Sequence, residues 1–287
     1  MISPKPAHFP QASIELTNLP GWDPRWSRVV VADTVDGPRQ FHVLDNGPVL
    51  SSLGVEMQDV DAIIVAVHGN PTWSYLWRKV AQAGVAAAES KLDLGPGTPI
   101  APIIRVIAPD QLDMGFSERL AHDAWPTAGQ GPTTYRTLDQ RLHDLDAVLA
   151  AMLGDRPTPP IYTLGHDWGG VVSLGWAADQ QLRHHGSQLE PAGMISLNTA
   201  VWHDEEDPIP APLQAALAGP LLASSTIATS AFLDVTLSLG QPALSEAVKT
   251  AYKAPYQQRA ERGGIGGFVA DIPASASHRS RKTLRSV

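Results

Sequence analysis

Cysteine is absent from the 287 residues, which excludes disulfide bridges, thiolate zinc centres and a thiol nucleophile. Long apolar runs are missing too. No stretch approaches the roughly 18 residues needed to cross a bilayer, and Met1 to Leu19 lacks the basic-then-apolar pattern of a leader. A cytoplasmic location with no membrane span is therefore the expectation. Positive charge is scarce: 21 Lys and Arg against 29 Asp and Glu give a formal net charge of −8, which argues against nucleic acid or an anionic membrane as partner. No His-Glu-x-x-His spacing occurs, and His203-Asp204-Glu205-Glu206-Asp207 reads as a solvated turn rather than a ligand cluster. Gly263-Gly264-Ile265-Gly266-Gly267 follows no strand and precedes no Lys-Ser/Thr pair, so a phosphate loop is disfavoured. Neither metal nor other cofactor is expected, and there is no internal repeat.

What remains is the composition of a globular enzyme, with 43% hydrophobic and 17% charged residues, on a chain long enough to bury one large α/β core. Arg28 to Thr34 and Arg39 to Leu44 read as strands around the turn Val35-Asp36-Gly37-Pro38. Ala62 to Val67 is apolar throughout, as a strand covered on both faces must be. A helix follows from about Tyr75 to Ala88, then a Gly- and Pro-containing loop from Glu89 to Pro102, a strand from Ile103 to Ala108, and a helix within Tyr135 to Leu153. Ile161 to Leu164 and Met194 to Leu197 complete the strands. Alternation of strands and helices predicts a mostly parallel sheet with helices on both faces. From His203 onward only helical patterns occur: Pro212 to Ala218, Leu221 to Leu239, Leu244 to Tyr252 and Gln257 to Ala270. Ala274 to Val287 is polar and basic, with no core-forming pattern.

The chain is organised around Ile161-Tyr-Thr-Leu-Gly165-His166-Asp167-Trp168-Gly169-Gly170-Val171-Val172. A buried strand breaks at a Gly-x-Asp-x-Gly turn and continues as a helix, which is the context of a nucleophile elbow. Small residues flank the turn because the backbone is tight, and the central side chain, Asp167, is pushed into a pocket. A carboxylate is anionic at neutral pH without help from a base, so it can attack a saturated carbon or a strained ring to give an ester. The alternative is an ordinary turn with Asp167 capping the following helix. His68-Gly69-Asn70-Pro71 ends the earlier strand, where backbone N–H groups of Asn70 and Trp168 would face the carboxylate as an oxyanion pair. The Asn70 amide and the Trp168 indole add two neutral side-chain donors suited to a departing halide or other anion.

These segments, with Thr72-Trp73-Ser74-Tyr75-Leu76-Trp77-Arg78, resemble the haloalkane dehalogenase family of α/β-hydrolases. The resemblance runs from about Arg28 to the chain end. It implies an α/β-hydrolase fold: a core over residues 1–202 (strands 1 to 6), a helical cap over 203–270, and a truncated return to the core over 271–287. It also implies Asp167 as nucleophile, with Asn70 and Trp168 as the leaving-group pair. Leu197-Asn198-Thr199-Ala200-Val201, Ala254-Pro255-Tyr256 and Phe268-Val269-Ala270-Asp271-Ile272-Pro273 look most like the β-lactone decarboxylase branch of bacterial olefin biosynthesis. Members of that branch convert a β-lactone to an alkene, and some are fused to an acyl-AMP ligase-like domain. The implied partner is thus a small apolar substrate, a haloalkane or a long-chain β-lactone, with a ligase-like domain as possible fusion or complex partner.

Departures are also visible. Asp113 stands where the family's Asp-x-x-Gly-x-Gly-x-Ser loop has its first Gly, and Asn198 where one subgroup carries its acid. The catalytic acid and His are not found: His68 and His166 belong to motif backbones, His184 and His185 to the helix after the elbow, His203 to the cap and His278 to the tail. The expectation is an N-terminal portion of a longer protein that forms the ester without hydrolysing it. Epoxide hydrolase, with Tyr252 and Tyr256 as the only cap tyrosines, is the rival enzyme. A catalytically incomplete binding module is the rival of another class.

Overall fold

The computed structural model describes residues 16–94, 102–122, 126, 134–154, 158–183, 189–201, 211–218, 221–273 and 278–285. Six strands make one sheet: β1 (Ser27–Thr34), β2 (Gly37–Asp45), β3 (Ala62–Val67), β4 (Ile104–Pro109), β5 (Ile161–His166) and β6 (Pro191–Leu197). Their spatial order is β1-β2-β4-β3-β5-β6. β1 and β2 form an antiparallel hairpin and β2 meets β4 antiparallel, whereas β3 is parallel to β4 and β5, and β5 to β6. The helices between strands are α1 (Gly47–Ser52), α2 (Arg78–Leu94), α3 (Leu138–Leu153) and α4 (Trp168–Arg183).

The alternation of side chains along a strand divides the core into two layers. On β3, Ile63, Val65 and Val67 pack with Leu145, Val148 and Leu149 of α3 and Val172 and Trp176 of α4. Ile64 and Ala66 point the other way, toward Trp77 and Ala81. That two-sided burial is why β3 is apolar at every position. α3 begins with a reciprocal cap, in which Gln140 N–H donates to Thr137 Oγ1 at 3.2 Å and Thr137 N–H to Gln140 Oε1 at 3.0 Å. It stops at Gly154, whose φ of +60° suits glycine.

After β6 the described residues contain helices and no strand: α5 (Ala211–Leu217), α6 (Leu221–Ala223), α7 (Ala231–Ser238), α8 (Glu246–Lys253), α9 (Gly263–Ala270) and α10 (Arg279–Leu284). Four expectations are corrected here. α2 continues to Leu94, through residues expected to be loop, because Ala86 to Leu94 consists almost wholly of good helix formers. Leu221 to Leu239 is not one helix: Leu221–Ala228 and Ala231–Ser238 meet at 77°. Ser225 and Thr226 hydroxyls donate to the Leu221 and Leu222 carbonyls at 2.7 and 2.6 Å, and the first segment widens into a π-turn over Ser224–Ala228 before it ends. Gln257 to Ala270 is likewise interrupted, with a short 3₁₀ turn at Arg259–Glu261 before α9. The tail also forms structure. α10 packs on α3 and α4, its Ser280 hydroxyl donating to Asp271 Oδ1 at 2.7 Å. Asp271 in turn accepts the Leu138 N–H at 2.8 Å, tying the tail to the start of α3.

Candidate active site

Asp167 sits between the last residue of β5 and the first of α4 with φ +54°, a left-handed conformation rare for a residue with a side chain. The neighbours explain how the turn is held. A Cβ at Gly165 would lie 2.5 Å from the Gly169 carbonyl oxygen, and one at Gly169 would collide with the Val67 carbonyl of β3. Both positions must therefore be glycine, as the Gly-x-Asp-x-Gly spacing requires. Asp167 N–H donates to Leu197 O at 3.1 Å, and the Thr199 hydroxyl donates to Asp167 O at 2.7 Å. The strained turn is thus fastened to the end of β6 on both sides of its Cα.

The carboxyl lies under the loop that follows β3. Asn70 N–H donates to Asp167 Oδ2 at 2.9 Å, and the Trp168 backbone N–H also bonds the carboxyl. Burial pushes the Asp167 pKa up, and these two backbone donors oppose the rise without cancelling it. The loop is held from behind. Burial keeps His68 neutral by lowering its pKa, its Nε2 accepts Gln111 N–H at 3.0 Å, and Gln111 Nε2 donates to His68 O at 2.7 Å.

The two expected side-chain donors meet a different neighbour, α9. Asn70 Nδ2 donates to Ile265 O at 3.2 Å, while the Trp168 ring lies 5.5 Å from the Phe268 ring, inclined at 48°. The Gly263–Gly267 run, part of the stretch expected to be helical, forms the buried first turns of α9. A Cβ at Gly264 would strike the Asp113 backbone, and one at Gly267 would lie 2.7 Å from Tyr135. Glycine lets this helix approach closely enough to cover the elbow.

Asn198 has φ +45° beside the elbow. His278 caps α10, accepting Ser280 N–H at 3.2 Å with its Nε2 facing Ala270 O at 3.4 Å. His184, His185, His203 and the run from His203 to Asp207 lie outside the described residues. Tyr256 OH donates to Thr72 O and accepts Gly115 N–H, both at 3.0 Å, and Tyr252 packs edge-on against Tyr75. Among the described residues no His hydrogen-bonds the Asp167 carboxyl.

Sequence reasoning overlooked two buried His–carboxylate pairs whose acids lie in the loop after β4. His42 Nδ1 is 2.8 Å from Asp110 Oδ2, and His122 Nε2 is 2.6 Å from Asp113 Oδ2. Asp113 has φ +69°, so it adopts the backbone of the glycine whose place it takes, and its carboxylate reaches His122 and Leu120 N–H. The only sequence signal was that departure from the loop pattern. His42 and Asp110 are 68 residues apart and gave none.

Comparison with known proteins gives three kinds of match. The profile of the α/β-hydrolase fold family matches residues 62–239. A cis-3-alkyl-4-alkyloxetan-2-one decarboxylase of Xanthomonas campestris pv. campestris is 31% identical over 225 residues, covering 77% of this chain and 65% of that protein. A haloalkane dehalogenase of Mycolicibacterium smegmatis is 29% identical over 216 residues, covering 73% of this chain and 58% of its own length. The chain thus spans less than two thirds of each of these curated relatives. Among solved structures, the haloalkane dehalogenase DpaA from Paraglaciecola agarilytica NO2 superposes with a TM-score of 0.63 at 19% identity, covering 97% of this chain and 77% of that one. That level of identity speaks to the fold.

Proposed function

The chain belongs to the α/β-hydrolase fold family, and from that premise we propose that it carries an enzyme's nucleophile, Asp167, which forms an ester with a small apolar substrate of the haloalkane or long-chain β-lactone class. A carboxylate oxygen attacks the carbon, the carbon–halogen or ring carbon–oxygen bond breaks, and the electron pair departs with the halide or the opened ring's oxygen. The observation that carries this reading is the placement of the Asp167 carboxyl: buried, on a left-handed turn, and bonded by the Asn70 N–H at 2.9 Å. Burial removes the water shell that would otherwise blunt a carboxylate nucleophile. The Asn70 and Trp168 N–H groups also suit the oxyanion that forms if water attacks the resulting ester. Asn70 Nδ2 and the Trp168 indole serve as leaving-group donors once the amide exchanges the Ile265 carbonyl for the departing anion. The relatives support both substrate classes, since their names are those of an alkyloxetanone decarboxylase and haloalkane dehalogenases.

The epoxide reading is weakened by Tyr256, whose hydroxyl is committed to Thr72 and Gly115. The test is mass analysis of the Asp167 peptide after incubation with a bromoalkane, a β-lactone or an epoxide. An adduct from bromoalkane or lactone, absent in a folded Asp167→Asn variant, is the expected result. Labelling by epoxide alone would move the assignment to epoxide opening. Saturable lactone binding with no adduct would leave a binding module.

A further inference from the structure

On the hairpin side of the sheet, Ser27, His42 and Asp110 form a hydrogen-bonded file with no part in the Asp167 chemistry. Ser27 Oγ lies 2.8 Å from His42 Nε2, and His42 Nδ1 lies 2.8 Å from Asp110 Oδ2. We propose that these three residues are a second nucleophilic centre, with Ser27 as the acyl acceptor for small activated esters.

The arrangement satisfies the requirements of an activated hydroxyl in sequence. Asp110 is fully buried and locked: Oδ1 accepts Ser74 N–H at 2.6 Å and Oδ2 accepts Phe116 N–H at 2.8 Å. Burial pushes its carboxyl up, but His42, His68 and the Phe116 N–H together outweigh that and hold it below the usual range, so it is ionised and can only accept. His42 must then carry a proton on Nδ1, and in the neutral ring that leaves Nε2 to accept from the Ser27 hydroxyl. The ring has little freedom to turn. Trp22 stacks on it at 6.1 Å and 26°, and Phe116 meets it edge-on at 5.8 Å. Ser27, the first residue of β1, is half-buried and so stands at the border between this cage and solvent. The developing oxyanion is assigned to two indole donors. The indole N–H groups of Trp22 and Trp26, whose rings meet at 6.0 Å, are buried and make no hydrogen bond among the described residues.

The step balances within these residues and water. Ser27 Oγ bonds to the ester carbonyl carbon while its proton passes to His42 Nε2, and the imidazolium faces Asp110. Collapse of the tetrahedral adduct breaks the carbon–oxygen bond to the leaving alcohol, which takes the proton from Nε2. Water then repeats the sequence, releasing the acid and restoring Ser27.

A fluorophosphonate probe tests this in the full chain, because displacement of fluoride by Ser27 Oγ leaves a stable phosphonyl mass. The adduct is expected on the peptide holding Ser27 in the parent chain and equally in Asp167→Asn, and is absent in Ser27→Ala. Because the chain has no cysteine, Ser27→Cys provides an independent readout, with the exposed Ser51→Cys as control. A thiol paired with the imidazole should react with iodoacetamide at pH 6 on the order of tenfold faster than the control. No Ser27 adduct at saturating probe in the folded parent, or equal alkylation rates for two folded Cys variants, would overturn the assignment. Either result leaves the Asp167 reading untouched.

Discussion

Asp144→Asn is expected to stabilise the fold at pH 8 and to lose that advantage in acid. Asp144 lies on α3 and lines a small cavity with Arg141, Asp110, Gln111, Val67 and Val172. Arg136 Nε is 3.0 Å from Asp144 Oδ2, yet the approach is off-axis, and neither carboxyl oxygen gains a hydrogen bond among the described residues. Burial therefore prevails over the attraction of Arg136 and Arg141, and the carboxyl is pushed up from 3.8 to about 6. Between those two values the folded chain keeps a proton that the unfolded chain releases, so stability falls as pH rises through the window and stays reduced above it. The full displacement corresponds to about 3 kcal/mol. Arg141, fully buried and itself lowered to about 10 by desolvation, loses a counter-charge in the variant, so a gain of roughly 1–3 kcal/mol is expected at pH 8, shrinking toward zero by pH 4. Urea unfolding followed by tryptophan fluorescence at pH 4, 5, 6 and 8 reads the difference. A variant less stable than the parent at pH 8 would refute the reasoning and make Asp144 the indispensable partner of Arg141.

Other substitutions probe other links. Gly169→Ala places a methyl against the Val67 carbonyl, so a loss above about 3 kcal/mol in denaturant titration is expected. Asp45 is the opposite of Asp144. Burial raises its carboxyl, but bonds from Arg105 at 2.8 and 3.0 Å, with help from Gly47 and Arg28, hold it below the usual range. Its contribution is present above the ordinary value of 3.8 and lost as pH falls through the depressed one. Asp45→Asn strands the buried Arg105 and should cost about 3–5 kcal/mol at pH 7, less in acid. β6 pairs on one side only among the described residues, with Met194 and Ile195 each 47% exposed. Ile195→Lys should lower self-association in light scattering while changing stability by under about 0.5 kcal/mol.

The contrast between what sequence showed and what it hid follows the range of the forces involved. β3 announced itself because burial on both faces leaves no position for a polar residue. The end of α3 was legible because its stop, Gly154, lies next to the helix in the chain. The elbow was legible because steric demands at Gly165 and Gly169 act within four residues of Asp167. Gly263–Gly267 fell within a stretch read as helical, but the reason for its glycines was hidden: they let α9 fit between Asp113, Ile227 and Tyr135. The break within Leu221 to Leu239 came from hydroxyls turned onto their own backbone, which apolar periodicity does not register.

By itself, then, the sequence determined the order of strands and helices and the carboxylate at the sharp turn, since both depend on periodicity and on steric limits between near neighbours. Tertiary structure alone decided what surrounds that carboxylate. Asn70 meets the Ile265 carbonyl across 195 residues, and His42 meets Asp110 across 68. Such pairings arise only when the packing of the sheet and its covering helices brings distant segments within hydrogen-bond reach, where burial then sets which groups are charged.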